Sequence, residues 1–225
     1  MNQVTSNSPP ADVVRQLRKA QDELARRQFD AAAATLATLL AQAPDCAPAL
    51  GMAGMAAQME GEYERAAGFF RKAAELQPGN AGLYAGLGIA LSESGDVDGA
   101  VVALRHACEL APNGAAGWYN LGKVLKLAVH TDDAIQALRR ALRLDPSHVS
   151  ARLTLADALA SVGQIEAAAS ELRGLLAAHP EQARAWFALA NLKVVPLTAG
   201  DAAALRRHFE RTDVAAEDRV LFGFA

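Results

Sequence analysis

Prolines recur along this chain at a fixed interval of 34 residues. Pro44, Pro78, Pro112, Pro146 and Pro180 stand 34 residues apart. Proline lacks a backbone N–H and disfavours helical geometry at the residue before it, so each one predicts the end of a helix. A constant period of this length indicates that one supersecondary unit is repeated along the chain.

Other residue types keep the same phase. Small residues recur at Ala20, Gly54, Gly88, Gly122, Ala156 and Ala190. Alanines recur at Ala32, Ala66, Ala100, Ala134, Ala168 and Ala202, and larger apolar residues at Phe70, Leu104, Leu138 and Leu172. The apolar spacing is helical, and a small residue in mid-helix predicts that two helices cross closely. Each unit is therefore predicted to be a helix–turn–helix that buries its apolar face by stacking on a neighbour.

The turn between the two predicted helices of a unit contains glycine in most units. Glycines stand between the two predicted helices of three units, at Gly61, Gly95 and Gly163. Glycine there suits a residue with positive φ. Val129 takes this place in the fourth unit, which predicts a different turn geometry. In the first unit, Lys19 and Glu23 stand at positions that are apolar in the other units, as expected of a solvent-facing cap.

The stretch from Trp118 to Gly122, followed by Ala134, Ala141 and Pro146, closely resembles the tetratricopeptide-repeat (TPR) consensus. The resemblance implies an all-α fold, a right-handed α-α superhelix (TPR solenoid) of about five full repeats plus a partial sixth and a terminal helix. The repeats are placed within residues 11–182, at 13–46, 47–80, 81–114, 115–148 and 149–182. Residues 1–10 are expected to be a disordered polar N-terminus, and residues 183–225 a partial repeat and junction segment.

The repeat pattern is lost after Leu192, and a further helix is predicted from Asp201 to Arg211. The chain then ends on strongly apolar residues, among them Leu221, Phe222 and Phe224. Large apolar side chains are seldom left together in solvent. We therefore expect the chain to be truncated, with this end packed on a missing domain or on a second subunit.

Three short stretches of the C-terminal region resemble the junction of bacterial proteins that join TPR repeats to a sulfotransferase domain. They are Ala188–Lys193, Glu217–Arg219 and Phe222–Ala225. The resemblance implies that a domain using the sulfate donor 3′-phosphoadenosine-5′-phosphosulfate follows the repeats. The phosphate-binding loop of that family, which resembles GxPRSGTT, has no counterpart in this sequence, so no catalytic residue is carried over.

Charge and composition exclude several classes of function. The formal net charge of −3 argues against a nucleic-acid partner. No apolar run approaches the roughly 20 residues of a membrane span, and the polar N-terminus lacks the regions of a signal peptide, so a cytoplasmic location is expected. Cys46 and Cys108 are isolated, and the five histidines lack metal-ligand spacing. No catalytic residue, metal or cofactor is expected in this chain.

In the TPR family, peptides usually bind in the concave groove that the first helices of the repeats line. Met52, Met55 and Met59 are spaced i, i+3 and i+7 in the first helix of the second repeat, on the expected groove side. Methionine is flexible and polarisable, which suits a surface that accommodates apolar ligands. The alternative is that these methionines pack between neighbouring helices.

The same face of the later repeats is polar. It carries Tyr119, Asn120, Lys123 and Lys126 in the fourth repeat, Asp157 in the fifth and Asn191 in the sixth. The two lysines are candidates to hold an acidic side chain or a C-terminal carboxylate; alternatively they are ordinary solvated lysines. The carboxylate clamp of chaperone-binding TPR proteins is not reproduced, because the required earlier positions hold Gln21, Met55 and Ile89.

These patterns predict a scaffold that binds a protein or peptide ligand in its concave groove. The junction resemblance implies the N-terminal interaction module of a bacterial sulfotransferase, which recruits or presents substrate. The alternative is a free-standing TPR adaptor that assembles a protein complex. An enzyme active within these residues would need converging polar groups that the sequence does not show.

Overall fold

The computed structural model describes residues 10–192 and 196–209, together with residue 218. Every regular element within these ranges is an α-helix, which confirms the expected all-α class. The helices are α1 (Ala11–Ala25), α2 (Phe29–Gln42), α3 (Ala47–Met59), α4 (Tyr63–Leu76), α5 (Ala81–Ser94), α6 (Val97–Leu110), α7 (Ala115–Leu127), α8 (Thr131–Leu144), α9 (Val149–Ser161), α10 (Ile165–Ala178), α11 (Ala183–Asn191) and α12 (Ala199–Phe209).

The first ten helices form five consecutive pairs, in agreement with five full repeats of a TPR solenoid. The second helix of each pair ends two residues before a periodic proline, from Gln42 before Pro44 to Ala178 before Pro180. The intervening residue has left the helical region, as at Ala43, where φ is −135° and ψ is 75°. Proline imposes this change on the residue that precedes it, so the proline ladder sets where the second helices stop.

The helices are grouped in two compact bodies, an N-terminal body that ends at Pro112 and a C-terminal body that begins at Asn113. In the N-terminal body, α1 to α6 pack one on the next in chain order. Buried residues of α1, α2 and α3 form a core cluster there: Ala20, Leu36, Leu39, Ala49 and Ala53. In the C-terminal body, a larger cluster includes Leu155, Leu172, Trp186, Leu189 and Leu205. Each body therefore has its own apolar core.

Glycines stand where the paired helices cross, as their spacing predicted. A Cβ built on Gly88 would lie 2.5 Å from Cγ of Leu104, and one built on Gly122 would lie 2.6 Å from Cγ of Leu138. Real Cβ atoms do not approach other atoms so closely. Only glycine therefore lets the two helices of these repeats approach to this distance.

The second repeat has Phe70 where the later repeats have leucine. Its ring lies against two glycines, Gly54 of its own repeat and Gly86 of the next. A Cβ built on Gly54 would come within 2.9 Å of the ring, and one built on Gly86 within 2.6 Å. The larger side chain is thus accommodated by an additional glycine in the following repeat.

The inner turn of the fourth repeat has the same geometry as the glycine-containing turns. Gly95 has a φ of +94° and Val129 a φ of +62°. In both turns the backbone N–H of this residue donates to the carbonyl oxygen three residues earlier, with N–O distances of 3.2 Å for Gly95 and 3.1 Å for Val129. The N–H of the next residue donates to the carbonyl oxygen five residues before it, at 2.9 Å in each turn. The predicted difference is therefore wrong, because the bonds that close the first helix fix the left-handed conformation whatever the side chain.

The polar cap of the first repeat is only partly exposed. Lys19 reaches solvent as expected, but the side chain of Glu23 is only 14% exposed and lies 3.7 Å from Lys19. One of its carboxylate oxygens is buried without a hydrogen-bond partner. The expectation of a solvent-facing position is wrong for Glu23, because it points to the side of α1 where apolar residues pack in the other repeats.

The predicted terminal helix is present as α12 and is anchored to the C-terminal body. Thr198 N donates to Oδ2 of Asp201 at 2.8 Å, and Asp201 N donates to Oγ1 of Thr198 at 3.1 Å, which is a reciprocal cap. Arg173 of α10 lies 3.4 Å from the same carboxylate, and Leu205 is buried in the core. Residues 210 and 211 of the predicted helix lie outside the described residues, as do Leu221, Phe222 and Phe224, so the packing of the chain end stays a prediction.

Candidate functional site

The candidate groove residues all lie on first helices of the repeats. Met52, Met55 and Met59 are on α3, in the N-terminal body. Tyr119, Asn120, Lys123 and Lys126 are on α7, Asp157 is on α9 and Asn191 ends α11, all in the C-terminal body. The two bodies present different chemistry on this face, apolar in the first and polar in the second.

The three methionines of α3 have different surroundings. Met52 is half-buried and packs on the core cluster, together with Val13 and Leu17 of α1. Met55 and Met59 are 53% and 55% exposed. Packing between neighbouring helices, the alternative reading of the methionines, therefore describes Met52 but not Met55 or Met59.

Helices α3 and α5 carry few charges on this surface, although Glu60 follows Met59 directly and α1, which also contacts α3, carries Arg18. Helix α3 contains no charged residue in its 13 positions. Helix α5, which contacts α3, brings Ile89, half-buried, to the position that Met55 has in the second repeat, and its only charged residue is Glu93. An apolar helix is normally buried on all sides. Here one side of such a helix is open.

The polar side chains of the C-terminal body already contact one another or their own helices. Lys126 of α7 forms an ion pair with Asp157 of α9. The ring of Tyr119 lies 4.6 Å from that of His148, centroid to centroid. Asn191 donates its side-chain amide to the carbonyl of Phe187 at 3.0 Å. A ligand that used these groups would have to replace contacts that are present in the fold.

The remaining candidates in this body are Asn120, which is half-buried, and Lys123, which is exposed. Two exposed apolar residues of this body were not among the binding candidates from the sequence, Leu127 at the end of α7 and Val129 in the turn that follows. The sequence feature that could have indicated them is valine in place of glycine at position 129, which by itself predicts only a change of turn geometry.

The ionisable groups of the described residues form no catalytic arrangement that we can identify. No group of three or more His, Cys, Asp or Glu side chains in that part of the chain is placed to hold a metal ion. Burial, with a smaller contribution from Glu109, raises the pKa of Cys108 to about 11, so its thiol is a poor nucleophile near neutral pH. None of the helices described here is long and apolar enough to cross a membrane.

Family models match most of the chain. Residues 93–209, which are 117 of the 225, match the model of the cytochrome c-type biogenesis protein H TPR domain. Two tetratricopeptide-repeat models match residues 17–81 and 57–124. No curated protein matches the chain.

Several solved structures have a similar fold. PilF of Pseudomonas aeruginosa is 22% identical with a TM-score of 0.74, over 94% of this chain and 96% of that one. MamA of Desulfovibrio magneticus RS-1 is 20% identical with a TM-score of 0.72, over 78% and 99%. YrrB, described as a TPR protein with an unusual peptide-binding site, is 21% identical with a TM-score of 0.64, over 83% and 95%. At these identities the likeness establishes the fold alone.

Proposed function

Because the chain belongs to the TPR family represented by the TPR domain of cytochrome c-type biogenesis protein H, we propose that it is a scaffold that binds a peptide segment of another protein along α3. The observation that carries the proposal is the exposure of Met55 and Met59 on a helix without charged residues. YrrB, which has a similar fold, is described as having a peptide-binding site.

The chemistry of this surface defines the ligand. Burying a methionine side chain that is half-exposed in the free protein contributes about 1 kcal/mol through the hydrophobic effect alone. No lysine or arginine on α3 or α5 offers to pair with a carboxylate. The ligand that we propose is therefore a mainly apolar peptide segment, and the flexible methionine side chains adapt to different apolar residues.

The groove face of the C-terminal body has a smaller part in this proposal than the sequence suggested. Lys126 is held by Asp157, and Tyr119 and Asn191 have their own contacts. A partly exposed ion pair contributes only about 0–1 kcal/mol. A ligand carboxylate that replaced Asp157 would add to the binding free energy only the difference between the new ion pair and the old one. Binding of an acidic peptide by Lys123 and Lys126 is the second candidate, and it requires that Lys126 exchange its partner.

The wider role of the chain rests on its C-terminal region. The sulfotransferase junction depends on residues 188–225, and most of those beyond residue 209 lie outside the described residues. A free-standing adaptor accounts equally for the repeats. In both cases the chain would act in the cytoplasm and without catalysis of its own. A coding sequence that continues past residue 225 into a PRSGTT-like loop would favour the first role, and a stop codon close behind would contradict it.

The groove proposal is tested by selecting short random peptides, displayed on phage, against the whole chain. We expect mainly apolar peptides to be enriched. Met55→Glu and Met59→Glu should each weaken the selected peptides at least about tenfold, because the new carboxylate must be desolvated by an apolar ligand.

The matched control is Val102→Glu. Val102 is 70% exposed on α6, in the same body but on the second helix of its repeat. This variant should bind as the parent does, and so should Lys123→Glu. Unchanged binding by both methionine variants, with helix content intact by circular dichroism, would remove the α3 surface from consideration.

A further inference from the structure

Apolar side chains are exposed on the inner turns of the fourth and fifth repeats. We call them the inner-turn patch, which consists of Leu127, Val129 and Val162. All three are exposed, and Val129 is 81% accessible. The inner turns of the first three repeats have Arg27, Gly61 and Gly95 at the position of Val129. An exposed valine at this position is therefore peculiar to the fourth repeat, whereas Leu127 stands where the second repeat has the exposed Met59.

Val129 is held in a conformation that valine rarely adopts. Its φ of +62° lies in the left-handed region, where three of the five inner turns have glycine. A β-branched side chain is disfavoured there more than others. Because the side chain is almost fully in solvent, it contributes no burial to offset this cost. Valine at position 129 is thus unfavourable for the isolated fold both in conformation and in exposure.

The helix ends that carry the patch are held together. Helices α7 and α9 are in contact, and the ion pair between Lys126 and Asp157 joins them. Leu127 follows Lys126 directly, and Val162 lies five residues after Asp157, about 7.5 Å further along the helix axis. The ion pair therefore brings the ends of the two first helices, and the turns that follow, to the same side of the body.

The borders of the patch are acidic. The first turn of α8 carries Asp132 and Asp133, and that of α10 carries Glu166. Within residues 126–133 and 160–167 the only lysine or arginine is Lys126, whose charge is paired with Asp157. A partner with basic residues beside its apolar ones would complement these carboxylates, whereas an acidic partner would be repelled.

We propose that the inner-turn patch is a docking site for a segment of a partner protein that presents leucine-like side chains beside lysine or arginine. Val129 inserts into the apolar part of that segment, and Asp132 and Glu166 pair with its basic residues. The site lies at the ends of α7 and α9 and not on α3, and it does not depend on the proposed groove.

The test uses the whole chain with methyl-labelled Leu, Val and Met, observed by NMR. The probes are two synthetic peptides, one alternating leucine with lysine and one alternating leucine with glutamate. The Leu–Lys peptide should shift the methyl signals of Leu127, Val129 and Val162. It should leave those of Val102, a similarly exposed valine of the N-terminal body, in place.

Val129→Gly is the decisive variant, because glycine is the residue that three of the other turns have at this φ. It should raise the thermal midpoint, since the strain is relieved, and yet weaken the Leu–Lys peptide about tenfold, since the buried valine is lost. Asp132→Asn combined with Glu166→Gln should weaken the same peptide and reduce its salt dependence.

Three results would overturn the proposal. The first is unchanged affinity of the Val129→Gly variant for the Leu–Lys peptide. The second is equal binding of the Leu–Lys and Leu–Glu peptides, which would remove the role of the acidic border. The third is a response to the Leu–Lys peptide confined to the methionine methyls of α3, which would place it on the other surface.

Discussion

Replacing Gly86 of α5 by alanine would measure how tightly the second repeat packs against the third. The new Cβ would lie 2.6 Å from Cε1 and 2.7 Å from Cζ of Phe70. Phe70 is only 3% exposed, so its ring has no open space into which to move. Overpacking of this kind costs about 1–3 kcal/mol, while alanine gains about 1 kcal/mol over glycine inside a helix.

The matched control is Gly68 of α4, where an added Cβ would meet nothing within 4 Å. Gly68→Ala should raise the free energy of unfolding by about 0.5–1 kcal/mol. Gly86→Ala should lie about 1–3 kcal/mol below that control, because only it carries the overpacking cost. Urea unfolding followed by circular dichroism measures both variants under the same conditions.

A second background identifies the cause. Phe70→Leu removes the ring atoms that the new methyl would meet, and leucine is the residue at this position in the next three repeats. In that background the gap between Gly86→Ala and Gly68→Ala should shrink by at least about 1 kcal/mol, the coupling expected of residues in contact. If the gap is absent in the parent, or unchanged by Phe70→Leu, the argument from matched packing is refuted.

Two further predictions concern titratable groups. Burial works against the charged form of Asp201, but hydrogen bonds from Thr198 outweigh it and hold the pKa of the carboxyl below its ordinary value of 3.8. A carboxyl group whose pKa is lowered in the folded state stabilises the fold above its ordinary pKa, and this stability is lost as the pH falls through the lowered pKa. Helix α12 should therefore loosen in acid. The Asp201→Asn variant should show a smaller acid response in the hydrogen exchange of the α12 amides. Burial, then the neighbouring Glu109, raises the pKa of Cys108 to about 11, so at about pH 8 a thiol reagent should label Cys46 first and Cys108 only in urea. Equal labelling of the two folded thiols, or an Asn variant with the full acid response, would contradict these predictions.

The sequence predicted the helix pairs because their determinants are local and periodic. Each periodic proline acts on the residue immediately before it, as at Ala43, and needs no tertiary contact to do so. The geometry of the turn at Val129 was mispredicted for the opposite reason. The choice of residue suggested a change, but the hydrogen bonds that close α7 impose the same conformation that glycine adopts elsewhere.

The candidate site was less predictable because it depends on contacts between repeats. Met52 and Met55 are three residues apart in one helix and have the same side chain, yet only Met52 packs against the core cluster of the N-terminal body. Lys126 and Asp157 are 31 residues apart, and their ion pair exists only once α7 and α9 are stacked. Spacing placed the candidates on the first helices of the repeats, but it did not distinguish covered from open side chains.

The fit of Phe70 between Gly54 and Gly86 also limits how the gene can change. A coding sequence with a period of 34 residues invites recombination between its own copies, with loss or gain of whole repeats. Deletion of residues 81–114 would bring Asn120 to the place of Gly86, with a side chain where the ring of Phe70 needs empty space. Loss of the third repeat alone should therefore be destabilising, although the periodic sequence makes the repeats look interchangeable.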